Sequence, residues 1–460
     1  MGNGGDVRST AYVGELAVVA TDADGAGPGH LAEEVVITVA NGVFTDVAVG
    51  ATPPPGAVRL PGLTLPGFAD AHSHAFHRAL RGRTHADGGT FWSWRQRMYE
   101  VAGSLDPDGY HALARAVYAE MAATGFTSVG EFHYLHHRPD GGRYDDANAM
   151  GHALIAAARD AGIRITLLDA CYLTGGIGEP LTGVQRRFDD GDAGRWAERV
   201  DELATAYRGD PDVVVGAAVH SVRAVPAEQI PEIVAWARGR TAPLHAHVSE
   251  QPAENEACLA AYGRTPVQVL TDAGFGGALS TAVHATHLTA EDIERLGATG
   301  TCVCFCPTTE RDLGDGIGPA DELVAAGALL TLGTDQHARI DAFEEARAVE
   351  LNLRLAHRRR GCLEPGVLLA ALTSNGQASL GFGGGRIAVG QPADLVAVSL
   401  TSPRTAGAEA ASAIPTALFA ASDADVTDVV VDGERVVTSG LHRDGDVGAA
   451  LTSVIRDLGR

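Results

Sequence analysis

Lysine is missing from this 460-residue chain, and all 35 of its basic side chains are arginine. The composition is heavy in Ala, Gly, Asp and Arg, the bias expected of a GC-rich codon supply. Whatever its origin, the absence excludes a phosphate-cradling P-loop lysine and a Schiff-base or nucleophilic lysine. It equally excludes a metal pair bridged by a carbamylated lysine. Cysteine is scarce: six residues do not make a disulfide framework at this length. Cys302, Cys304 and Cys306 alternate along an apolar segment and so share one strand face as small core residues. No apolar run reaches the roughly 18 to 20 residues that span a bilayer. The start, Met1 to Ser9, is polar and glycine-rich rather than a secretory signal, which points to a reduced cytoplasmic compartment. Positive charge is also short, with 35 basic against 58 acidic side chains and a net charge of -23. That balance disfavours nucleic acid and anionic membrane as partners.

What is present is a repeated pattern. Hydrophobic residues make up 45% of the chain, and eight short apolar runs alternate with polar and helix-period segments. The runs are Leu63 to Ala69, Phe126 to Phe132, Ile163 to Cys171, Val213 to Val219, Pro243 to Val248, Leu279 to Thr286, Thr301 to Cys306 and Ala328 to Gly333. Each is apolar on both faces, as parallel strands buried between a barrel interior and outer helices must be. Helical patterns at Tyr110 to Thr124, Asp192 to Tyr207 and Ala227 to Ala237 lie between them, and Thr289 to Asp292 has capping-box spacing. The alternation predicts an α/β fold with a (β/α)8 barrel over residues 67–380. The flanks, 1–66 and 381–460, are β-rich. Hairpin signatures at Asn41-Gly42 and Asp432-Gly433 predict one small discontinuous β-sandwich built from both ends.

Functional side chains of a barrel gather at the C-terminal ends of its strands. The first run leads into Asp70-Ala71-His72-Ser73-His74, and residues i and i+2 of a strand point the same way, so both imidazoles can face one metal. The fifth leads into His245-Ala246-His247-Val248-Ser249-Glu250, the sixth carries His284 and His287, and the eighth ends at Asp335. Imidazoles and a carboxylate at one mouth suit Zn2+, and are compatible with Fe2+ or Mn2+. His245 shares a face with His247, and His287 and His337 lie close by as supporting residues.

These residues and their order resemble the amidohydrolase superfamily over nearly the whole chain. The resemblance implies metal ligands at His72, His74, His247 and Asp335, and a further histidine, His284, in the reaction. Gly385 to Val396 is similar to the segment with which that superfamily returns to its sandwich. Some members bridge two metals with a carbamylated lysine, which this chain lacks, so one metal per chain is expected. The His247-x-x-Glu250 spacing resembles the deaminating members and favours His247 over His245. A bound Zn2+ can bring its water to a pKa of about 7. Glu250 is then implied to move a proton from that water to a departing nitrogen, with Asp335 and His284 orienting the attack.

His74 to Ala79, Phe91 to Arg95 with Met98-Tyr99, Glu131 to His137, and Cys306 to Glu310 with Leu313 to Gly316 further resemble the formimidoylglutamate deiminases of histidine degradation. That resemblance implies hydrolysis of N-formimino-L-glutamate to N-formyl-L-glutamate and ammonia, and a homodimer. The substrate is a small dicarboxylate, and His77, Arg95, Tyr134, His220 and Arg223 fall at the implied substrate-contacting positions. His77 stands where those deiminases commonly carry glutamine. Trp92 and Trp94 are expected in a loop over the mouth, and His133, His136 and His137 in packing around Tyr134. Another amino- or iminohydrolase of the superfamily, acting on a nucleobase or guanidino compound, is the alternative; a catalytically dead scaffold would have lost ligands.

Overall fold

A computed structural model describes residues 9–20, 29–85 and 91–458, with side chains from 94 onward in the last stretch. Two eight-stranded sheets organise it. From the N-terminal end come β1 (Ser9–Val19), β2 (His30–Ala40), β3 (Val43–Val49) and β4 (Val58–Pro66). Then follow β5 (Phe68–Ser73), β6 (Phe126–His133), β7 (Arg164–Cys171), β8 (Val213–Val219), β9 (Leu244–Val248), β10 (Ser280–His284), β11 (Cys302–Phe305) and β12 (Leu329–Leu332). The chain ends through β13 (Leu395–Val398), β14 (Val426–Val431), β15 (Glu434–Thr438) and β16 (Leu441–His442).

Strands β5 to β12 lie side by side in sequence order, each parallel to the next. Helices such as Pro107–Ala123, Ala193–Ala206 and Ile230–Arg240 cover them. Both faces of these strands are therefore buried, the physical cause of the continuous apolar runs. The other sheet joins the two ends of the chain in the order β16-β15-β14-β13-β4-β1-β2-β3, with β13 antiparallel to β4. Its turns are the anticipated ones: Asn41 and Gly42, and again Asp432 and Gly433, all have positive φ, as a tight hairpin turn requires. Tyr12 Oη donates to the Gly433 carbonyl at 2.9 Å and ties the two ends together. Among the described residues no helix is long and apolar enough to cross a membrane.

The first apolar run divides differently from its reading as one strand. Leu63 to Pro66 belong to β4 of the terminal sheet, and the barrel begins only at Phe68. Pro66 has no N–H to continue a ladder. At Gly67 the backbone passes so near Thr127 that a Cβ would lie 2.3 Å from its Oγ1. Phe91–Ser104, expected to begin as a loop, is helical; the side chain of Trp92 lies outside those described, whereas Trp94 donates from Nε1 to Gln336 Oε1 at 2.7 Å.

The ring closes without a full ladder between β12 and β5. A single bridge pairs Ser73 with Asp335: Asp335 N donates to His72 O at 2.9 Å, and His74 N donates to Asp335 O at 3.0 Å. Gly333 permits this approach, since a Cβ there would meet His72 Cβ at 2.7 Å. The closing seam of the barrel thus carries three of the expected ligands.

Candidate metal-dependent active site

His72 and His74 project from β5 and its end, and His247 from β9. Asp335 follows β12 with a φ of 46°, a left-handed backbone that non-glycine residues hold only under constraint. All four are buried. His72 Nε2 and His74 Nε2 each lie 3.5 Å from Asp335 Oδ1, and His247 Nε2 is 3.1 Å from His72 Nε2.

Hydrogen bonding behind the rings fixes which nitrogens face inward. His74 Nδ1 donates to Phe132 O at 2.9 Å and His247 Nδ1 to His220 O at 2.8 Å, so both Nε2 atoms present lone pairs. Burial lowers the His72 pKa to about 3, and lowers those of His74 and His247 too, which keeps the rings neutral. Burial alone would raise the Asp335 carboxyl, but the surrounding His72, His284 and His74 outweigh it and hold it below the usual carboxylate range. The bare His74 Nε2 and the ionised Asp335 oxygen are two acceptors facing each other with no proton between them. A cation satisfies that geometry, and three imidazoles with one carboxylate are a donor set for it.

His284 closes the opposite side, its Nε2 3.9 Å from Asp335 Oδ2 and its Nδ1 3.5 Å from Glu310 Oε1. Burial would depress His284, yet Glu310 with the nearby Glu250 and Asp335 raises its pKa to about 10. These carboxylate neighbours favour the protonated form of His284, the reverse of the three rings whose pKa burial lowers. Its own φ of 68° and that of Ala285, 46°, turn the chain inward at the end of β10.

A cavity of about 500 Å3 opens from this centre. Every residue expected at the substrate lines it: His77, Arg95, Tyr134, His220 and Arg223, together with Glu250, His284 and Asp335. Tyr99, Tyr172, Phe188 and Trp94 complete an aromatic wall. His77 Nε2 lies 3.0 Å from Tyr134 Oη, and its ring stands 4.6 Å from that of His74. Its Nδ1 is buried without a hydrogen-bond partner. Arg95 Nε donates to Tyr99 Oη at 2.6 Å.

Arg223 differs from expectation in its partners. Its Nη2 donates to Glu250 Oε2 at 2.8 Å, and its Nε lies 3.6 Å from Glu254 Oε2. Glu254 is itself buried and accepts from the backbone N–H groups of Ser249 and Glu250 at 3.3 Å. Glu254 and Glu310 therefore join the site, and neither was identified from the sequence. The only signal was position: Glu254 stands four positions beyond Glu250, in the first turn of the helix Pro252–Tyr262, and Glu310 sits in a segment recognised without a role.

The neighbouring histidines separate cleanly. His245 Nε2 donates to Ser379 O, below the metal layer, and His287 Nε2 to Asp315 O. His133 and His136 form another group of potential donor atoms with Asp169. There Arg199 already occupies Asp169 through two 2.7 Å bonds, so the group is closed by a guanidinium rather than open to a metal.

The model of the amidohydrolase family matches residues 63–436. A formimidoylglutamate deiminase from Pseudomonas aeruginosa is 36% identical over 91% of this chain and 94% of its own. A 5-methylthioadenosine/S-adenosylhomocysteine deaminase from Halobacterium salinarum is 28% identical over 84% of this chain and 82% of its own. Among solved structures, an amidohydrolase from Brucella melitensis superposes with a TM-score of 0.89 at 31% identity, covering 98% of this chain and 100% of that one. The chain belongs to the amidohydrolase family. Within that metal-dependent family it is a hydrolytic deaminase.

Proposed function

We propose that the protein hydrolyses N-formimino-L-glutamate to N-formyl-L-glutamate and ammonia with one Zn2+ per chain. The observation that carries this reading is one cavity lined by Glu250 and two arginines, Arg95 and Arg223, and adjoining the His72-His74-His247-Asp335 centre. An amidine bearing two carboxylates needs hydrolytic groups at one end and fixed donors at the other, and arginine forks match carboxylates. Similarity to the Pseudomonas deiminase supports the same substrate.

When bound by these four side chains, the metal supplies Lewis-acid activation of water and substrate. Glu250 accepts the proton released from the attacking water and returns it to the amidine nitrogen, which leaves as ammonia. Asp335 accepts a hydrogen bond from the water and aims it, while His284 donates a hydrogen bond to the negative charge that develops as the tetrahedral adduct forms. Arg223, bonded to Glu250, holds that carboxylate toward the cavity, and its remaining N–H groups with His220 and Tyr134 meet the substrate. Arg95, also in the cavity lining, is the donor for the second carboxylate. Arg95 and Arg223 thus supply local cationic groups within a protein of net charge -23, with Arg223 held between Glu250 and Glu254.

The aromatic wall of Trp94, Tyr134, Tyr172 and Phe188 favours a second reading, a deaminase of a nucleobase, since flat rings stack on such surfaces. The decisive experiment presents the zinc-loaded protein with N-formimino-L-glutamate, N-formimino-L-aspartate and adenosine-type compounds and quantifies ammonia. Ammonia with N-formylglutamate is the expected outcome. Formamide with glutamate would overturn the assigned bond, and release only from purines would replace the substrate.

A further inference from the structure

Behind the ligand centre runs a continuous chain of buried polar side chains that neither binds metal nor reaches the cavity. Asp70 Oδ2 meets Thr334 Oγ1 at 2.5 Å, and Asp70 Oδ1 accepts from Thr334 N at 3.1 Å. Thr334 Oγ1 meets His337 Nδ1 at 2.9 Å. His337 Nε2 meets Ser73 Oγ at 3.1 Å, and Ser73 Oγ donates to Glu131 Oε2 at 2.8 Å. Glu131 Oε1 accepts from Ala75 N at 2.8 Å. Every one of these five side chains is buried.

The hydrogens of this chain can be counted. With Ser73 donating to Glu131 and Thr334 to Asp70, each hydroxyl turns its oxygen to one ring nitrogen of His337. Thr334 donates its single hydroxyl hydrogen to Asp70 Oδ2. His337 therefore bridges two hydroxyls that each hold a buried carboxylate, and removing any member orphans its neighbours.

Its position is the barrel seam. Between β12 and β5 the backbone provides one bridge, at Ser73 and Asp335, instead of a ladder. His337 spans that gap with its two ring nitrogens, one on the Asp335 side and one on the strand of His72 and His74. Its backbone is tied as well, because Arg81 Nε donates to His337 O at 2.7 Å and His337 N donates to Thr334 O at 2.9 Å. Both Asp335 and His337 have positive φ, 46° and 56°, a turn that costs energy unless its surroundings enforce it.

We propose that His337 is a positioning residue that straps the Asp335 turn to the His72-His74 strand and so sets the spacing of the metal ligands. The inference rests on the reading of those side chains as metal ligands, and His337 acts through them without touching substrate. Supporting contacts of this kind typically change metal affinity by about 10- to 100-fold.

The test measures zinc affinity by chelator competition on metal-free protein, alongside the thermal midpoint of that metal-free protein and the kcat and KM of the loaded enzyme. His337→Phe keeps the ring and removes both bonds; Ser73→Ala and Thr334→Val cut the strap from either side. Each should weaken zinc binding about 10- to 100-fold, while KM at saturating zinc stays within about twofold. His337→Asn, which can still meet Thr334, should recover part of the affinity. If His337→Phe does not fold, the two flanking variants test the same strap. Zinc affinity within about twofold of wild type in a folded variant, with only the metal-free midpoint lowered, would overturn the proposal and leave His337 a stability residue. Absence of zinc binding by the wild-type protein would instead overturn the ligand assignment, and this inference with it.

Discussion

A single carboxylate divides the chemistry from the metal. Glu250 lies at the cavity wall, bonded to Arg223, and is not among the side chains whose donor atoms converge at the centre. Glu250→Gln keeps shape and removes the proton acceptor. Turnover should therefore fall about 100- to 10,000-fold, with zinc content unchanged by metal analysis; an active variant would remove Glu250 from proton transfer. His77 makes a different prediction. Its ring bridges Tyr134 and the His74 side of the centre. His77→Gln should preserve zinc binding and change kcat/KM for N-formimino-glutamate relative to N-formimino-aspartate. Equal effects on both compounds would show that His77 does not read acyl-chain length.

At the level of elements, the helix Ala193–Ala206 is anchored to the barrel by charge as well as by Trp196 and Leu203. Arg199 bonds Asp169 of β7 and also Asp190, all three buried. Burial would raise both carboxyls, but the guanidinium outweighs it and holds each below the usual carboxylate range. A depressed folded pKa contributes stability that is complete above the unfolded value, near 4, and that is lost as pH falls through the folded value. Urea unfolding should accordingly show stability falling below about pH 4. Arg199→Met strands two buried carboxylates and should cost about 3 to 5 kcal/mol at pH 7, a penalty that shrinks on acidification as those carboxyls take up protons. A penalty independent of pH would assign the loss to packing.

For the whole molecule, the metal centre stands across the barrel seam, joining β5, β9 and the turn after β12. A cation that binds only the folded chain stabilises it, by about 2.7 kcal/mol at a hundred times its Kd. Zinc removal should lower the thermal midpoint reversibly, and titration should saturate at one equivalent per chain; two would contradict the mononuclear site expected of a lysine-free chain. The sequence by itself determined the alternation of buried strands and helices and both terminal hairpins. It also marked His72, His74, His247, Glu250, His284 and Asp335, because parallel strands write their burial as apolar runs and a barrel gathers the residues at the end of each run at one mouth. Leu63 to Ala69 shows the limit: apolarity marks burial, not the sheet in which a residue is buried, so the switch at Gly67 stayed hidden. Only the tertiary structure decided that Arg223 pairs with Glu250 and Glu254, and that Asp70, Thr334, His337, Ser73 and Glu131 form one chain. Ser73 and His337 stand 264 positions apart, and such partners become neighbours only when the last strand closes on the first.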